Sequence, residues 1–173
     1  MLPIRRNNFE LNTSIALRDA YRLFLVFAGD APMFDLPADD QQDPLRLMRD
    51  DLFVDEITHL LIGTAIANRI QLEHMDGQRP GSSDGAARIS DAGCGELWPD
   101  VLEDKGSQKL SFREACNKIV HAIHIVPDCG NPAENPLTSD VKLRGHKGKE
   151  AWVAHLNIPQ YVRASVMNFR GQR

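Results

Sequence analysis

From Asp43-Pro44 to Gly77, apolar side chains recur at helical spacing: Leu45, Leu47, Leu52, Ile57, Leu60, Leu61, Ile66 and Ile70. Aspartate followed by proline supplies an N-cap and a first-turn residue whose φ is already near the helical value. A run of this length commits a small chain to helix packing, as one long helix or as two with a break near Asp50-Asp51. A second helical stretch precedes it over 13–28. It is capped by Asn12 or Thr13, filled by Ile15, Leu17, Leu23, Leu25, Val26 and Phe27, and stopped by Gly29. Residues 30–42, with Pro32, Pro37 and Asp39-Asp40, read as a loop. The expected architecture is therefore mainly α: a bundle of three or four helices, joined by a C-terminal β-hairpin and a short closing helix, an α+β addition to the bundle.

The rest of the chain supplies those parts. Residues 77–95 contain five glycines and little that is apolar, and predict a flexible loop. A short turn over 97–102 is expected to cover the core. Ser111 opens a helix that Pro127 closes, and a proline-rich loop runs on to Pro136. Over 139–157 the period changes to two: Val141 and Leu143 alternate with Lys142 and Arg144, a turn is expected at 145–148, and Trp152, Ala154 and Leu156 share one face of a returning strand. Residues 160–169, after Pro159, predict the closing helix. A chain of 173 residues with 42% hydrophobic and 25% charged side chains fits a single domain over 1–173, with enough buried surface to need no disulfide or structural metal.

No stretch approaches the roughly 20 apolar residues that span a bilayer, so no membrane partner is expected. The N-terminal Arg5-Arg6 pair is followed by polar residues, unlike a secretory signal, and Cys94, Cys116 and Cys129 lack C-x-x-C spacing. Reduced thiols and a cytoplasmic location are expected. The charge is asymmetric: residues 1–140 carry 13 Lys/Arg against 23 Asp/Glu, and 141–173 carry 7 against 1. Such a basic end attracts phosphate-rich partners, or docks on the acidic remainder of the fold or on a second copy.

Chemistry concentrates on the Ser111 helix. Ser111-Phe112-Arg113-Glu114 is a capping box, in which the serine oxygen accepts from the third residue's N–H and Glu114 reaches back. On a helix reaching Pro127, Arg113, Asn117, His121 and His124 follow steps of four, four and three and form one stripe, opposite Ala115, Ile119, Ala122 and Val126. A guanidinium, an amide and two imidazoles in a row suit binding or reaction at a phosphodiester. They equally suit an ordinary polar helix face satisfied by neighbouring loops.

The string from Arg113 through Asn117 and His121 to Ala122, with Leu143-Arg144-Gly145 and Trp152 further on, resembles a pattern in small bacterial proteins of no assigned activity. More distantly, the long helices with a polar Arg/Asn/His helix are similar to HEPN domains, helical bundles found in toxin, CRISPR and antiviral ribonucleases. The seven residues between Arg113 and His121 exceed that motif's usual gap. The resemblance implies a metal-independent RNA-cleaving or RNA-binding protein of a toxin or defence system, acting as a homodimer without a cofactor. In it His121 would move the ribose 2′-hydroxyl proton, Arg113 would stabilise phosphate charge, and Asn117 would orient the pair.

Three further readings stand beside this one. Glu56-Ile57-Thr58-His59 is an E-x-x-H that could meet His121 and His124 in a mixed metal site. Cys116 is either a nucleophile with a distant partner or a small core residue. The hairpin cations Lys142, Arg144 and Lys147, with His124, are candidate RNA-binding residues, and Trp152 is either a stacking platform or the hairpin's core anchor. The alternative to RNA chemistry is a non-catalytic protein–protein interaction module whose polar helix only supports the fold.

Overall fold

The computed structural model describes residues 11–34, 44–78, 88–103, 106–128 and 140–171. Helix α1 (Thr13–Phe34) buries Ala16, Ala20, Leu23 and Phe27 along one line, and runs past Gly29. Helix α2 (Pro44–Gln78) is unbroken at Asp50-Asp51 and about 52 Å long at 1.5 Å per residue. Its buried side, from Phe53 through Ile57, Leu60, Leu61, Ala65 and Leu72, packs on α1, where the Phe27 and Phe53 rings meet edge-on at 5.9 Å. Asp43, the rest of the expected 30–42 loop beyond Phe34, and the proline-rich 129–136 loop lie outside the described residues.

A three- or four-helix bundle with only a hairpin attached is not what forms. The chain builds a five-stranded antiparallel sheet, ordered β2-β1-β5-β4-β3, from β1 (Gly93–Trp98), β2 (Gln108–Ser111), β3 (His124–Asp128), β4 (Asp140–Lys147) and β5 (Glu150–Asn157). Strand β1 occupies residues expected to be loop and turn. Gly95, at φ 137°, lies where the pairing of β1 with β2 shifts register as a bulge, and a Cβ on it would lie 1.9 Å from the His155 carbonyl oxygen of β5. Of the glycine-rich 77–95 segment, residues 79–87 lie outside the described residues, and 88–90 form a helical turn. Strand β3 takes residues expected to end the Ser111 helix. Pro127 sits there in an outermost strand, where a missing N–H is tolerated.

The β4–β5 hairpin is the spine of the sheet. It pairs from Asp140↔Asn157 to Lys147↔Glu150, and turns through Gly148-Lys149 with Gly148 at φ 64°. The turn therefore falls later than 145–148, and Gly145 is a strand residue opposite Trp152. Asn157 then caps the closing helix, accepting from the Gln160 N–H at 3.0 Å, with Pro159 in the first turn. Two helices complete the fold: α3 (Phe112–Val120) and α4 (Ile158–Arg170).

The four helices labelled above lie on one face of the sheet. Leu97, Leu110, Val141, Leu143, Trp152, Ala154 and Leu156 point into one apolar core with side chains from all four helices. Between α2 and α4 that core holds a polar seam. Asn68 donates to Ser165 Oγ at 2.9 Å, Asn168 donates to Asn68 Oδ1 at 3.0 Å, and Thr64 and Tyr161 hydroxyls share a hydrogen bond at 3.1 Å. The other face of the sheet has no helix on it among the described residues.

Candidate nucleic-acid interface

Helix α3 shows one half of the expected capping box: Ser111 Oγ accepts the Glu114 N–H at 3.3 Å, whereas the Glu114 carboxylate turns to Asn117 and Lys118, and Phe112, Ala115, Cys116 and Ile119 are buried. The polar stripe does not continue as expected. Arg113 donates to Asp76 on α2 at 2.6 Å and to Ser90 at 3.3 Å, and Asn117 donates to Glu114 at 3.4 Å. The Glu114 carboxylate also pairs with Lys118 at 3.4 Å. His121 is exposed at the helix C-cap, its N–H on the Asn117 carbonyl at 3.1 Å. His124 has left the helix and faces Arg144 across the β3–β4 ladder. The helix ends early because the edge of β4 captures the chain: the Ile123 N–H bonds the Arg144 carbonyl at 2.8 Å, and the β-branched Ile125 and Val126 pair onward with Leu143 and Lys142.

The other sequence candidates separate too. Glu56 forms an ion pair with Arg22 of α1, and among the described residues no three His, Cys, Asp or Glu converge as metal ligands. The mixed site of Glu56, His59, His121 and His124 is therefore absent. Cys116 is fully buried, and desolvation pushes its thiol up to about 12, which removes the thiolate a nucleophile needs. Cys94 is raised to about 12 by burial as well, against the pull of Lys109. Trp152 is a core anchor, 2% exposed, with Lys118 Nζ 4.4 Å from its ring.

What the fold does assemble is the open sheet face. Register places Trp98, Val153, Arg144 and His124 in one row across four strands, and Lys109, Glu96, His155, Lys142 and Val126 in a second across all five. Ala151 and His146 stand beside the first row. The Asp128–Asp140–Asn157 row closes the far, acidic end, with Asn157 donating to Asp140 at 2.9 Å. The rows frame a cleft of about 520 Å³ lined by Trp98, Ile123, Lys142, Arg144, His146 and His155 among others. The Trp98 and His155 rings lie 4.9 Å apart at 57°, which fixes the indole against the sheet at one end of the cleft. Lys147, exposed at the hairpin tip opposite Glu150, has the strand parity of Val141, Leu143 and Gly145 and so stands apart from this face.

Of the residues expected to bind, His124, Lys142 and Arg144 share this face, whereas Arg113 and Asn117 belong to the helical layer. Sequence reasoning missed Trp98 and His155. His155 was legible, since it alternates with Ala154 and Leu156 and so faces outward. Trp98 was hidden because β1 carries a glycine bulge that breaks its alternation. Flat aromatic surface beside spaced cations can stack bases and neutralise the phosphates between them. Comparison with protein-family models, with curated proteins and with solved structures finds no match to this chain. No helix among the described residues is long and apolar enough to cross a membrane.

Proposed function

We propose that the chain binds single-stranded RNA on the open face of its sheet. The observation that carries this reading is the row Trp98–Val153–Arg144–His124 with Lys142 and His155 beside it. Trp98 and His155 offer ring faces to unpaired bases, and Arg144 and Lys142 contact the backbone. The proposal is confined to binding, since Arg113 pairs with Asp76 and Asn117 with Glu114 in the helical layer, away from the sheet face. A second copy of the chain is the other partner to expect, and would present two such faces in one assembly.

Titration of a fluorescently labelled single-stranded RNA at low salt, followed by anisotropy, tests the reading. A base stacked on an aromatic contributes about 1–3 kcal/mol. Trp98→Ala should therefore weaken binding by about 5- to 150-fold, and a duplex of the same sequence should bind less well. Equal affinity of Trp98→Ala and the parent chain would remove the sheet face from consideration.

A further inference from the structure

The buried residues of helix α2 fall on one of its sides. On the side away from the core, Met48, Leu52, Asp55, His59, Ile62 and Ile66 follow one another in alternating steps of four and three. That is the seam of an antiparallel or parallel helix pair. The four apolar members are 50%, 58%, 38% and 45% exposed, and Asp55 and His59 are exposed between them. The stripe spans about 27 Å at 1.5 Å per residue, far from the sheet cleft in sequence and on the helical side of the fold.

The geometry points to a two-fold homodimer in which α2 of one protomer packs antiparallel on α2 of another. The occupant follows from the stripe's self-complementarity. When two copies run antiparallel with Asp55 opposite His59 of the partner subunit, Leu52 falls opposite Ile62 of the partner subunit, and Met48 opposite Ile66 of the partner subunit. Each contact occurs twice through the two-fold axis. Apolar side chains then meet apolar side chains at both ends, and two carboxylates alternate with two imidazoles at the centre. A polar pair inside an otherwise apolar seam fixes register and orientation. A parallel pairing sets Asp55 on Asp55 and His59 on His59, placing like groups face to face. This interface is separate from the sheet face, so loss of RNA binding and loss of the dimer are independent results.

Sedimentation velocity of the full chain at about 100 µM, well above the Kd of a specific dimer, should give twice the 19.4 kDa of one chain. Leu52→Glu, at an exposed position, should yield a monomer with an unchanged circular dichroism spectrum. His59→Asp crowds four carboxylates at the centre and should weaken the dimer about tenfold or more, and the exchange Asp55→Lys with His59→Glu should restore it. In a background with Cys129→Ser, the pair Leu52→Cys and Ile62→Cys should form an intermolecular disulfide under mild oxidation, and neither single substitution should. A monomer at this concentration, or a dimer indifferent to Leu52→Glu, would overturn the inference. So would cross-linking by either single cysteine, which reports another register.

Discussion

Gly145→Ala tests whether the two faces of the hairpin are as tightly set as the register implies. Gly145 stands opposite Trp152 in the β4–β5 ladder, and its hydrogen occupies the space beside the buried indole. A Cβ there would lie 2.2 Å from Cζ2 and 2.7 Å from Cε2 of Trp152, and 2.9 Å from the His121 carbonyl oxygen. The ring cannot swing freely, because it is 2% exposed and Lys118 sits 4.4 Å from its centroid. Overpacking of this kind costs about 1–3 kcal/mol. Alanine recovers about 0.4–1 kcal/mol by stiffening the unfolded chain, so a net loss of about 1–2 kcal/mol is expected. For a chain of this size that lowers Tm by roughly 2–8 °C. Urea unfolding followed by tryptophan fluorescence in a Trp98→Phe background reads Trp152 alone, since the chain has two tryptophans. Repeating the substitution with Trp152→Leu in the chain that keeps Trp98, with unfolding followed by circular dichroism, should recover much of the loss. A Gly145→Ala chain as stable as the parent, with an unshifted Trp152 emission, would refute the packing argument.

Three further outcomes are expected. Gly63→Ala should stabilise the protein by about 0.5–1 kcal/mol, measured by thermal melting, because Gly63 lies inside α2 and a Cβ placed on it would meet nothing within 4 Å. Tyr161→Phe should destabilise by about 1–2 kcal/mol in urea titrations, because the fully buried hydroxyl serves both Thr64 and the Asn68 amide. Stability should fall above about pH 9. Burial raises Cys94 and Cys116 from 9.0 to about 12, and raises Tyr161 in the same direction, so the unfolded chain loses these protons first and is favoured as pH rises through that window. Denaturant midpoints between pH 7 and pH 11 check this, and Cys94→Ala with Cys116→Ala should make the fall shallower.

Where a segment's periodicity matched its final environment, the sequence was readable. Val141, Leu143, Trp152, Ala154 and Leu156 mark the β4–β5 hairpin because their alternation matches one buried face, whereas α2 was legible from helical spacing alone, since Leu45, Leu47, Leu52 and Ile66 of its apolar run are exposed. The outer strands were not readable. Strand β1 is short, and the bulge at Gly95 resets its alternation, so its glycines look like loop punctuation. Strand β3 follows α3 within three residues, and Ala122 and Val126 continue a helical spacing that only the neighbouring edge of β4 overrides. That one tertiary event moves His124 from a helix stripe to the sheet and turns a supposed four-residue site into two separate places. It also explains why the candidate interface was only half visible: Lys142 and Arg144 lie on the legible hairpin, whereas Trp98 lies on the strand the bulge concealed.

Under the proposed function, cations and aromatics on the open sheet face act together on a single strand. The most direct measurement is the salt dependence of RNA affinity for the parent chain and for Lys142→Ala with Arg144→Ala. Each phosphate contact contributes about 0.7 to the slope of log K against log salt for a single strand. The double variant should bind more weakly and with a slope smaller by about 1.4, while Trp98→Ala lowers affinity with its slope unchanged. An unaltered slope in the double variant, or no RNA binding by the parent chain at low salt, would contradict the account.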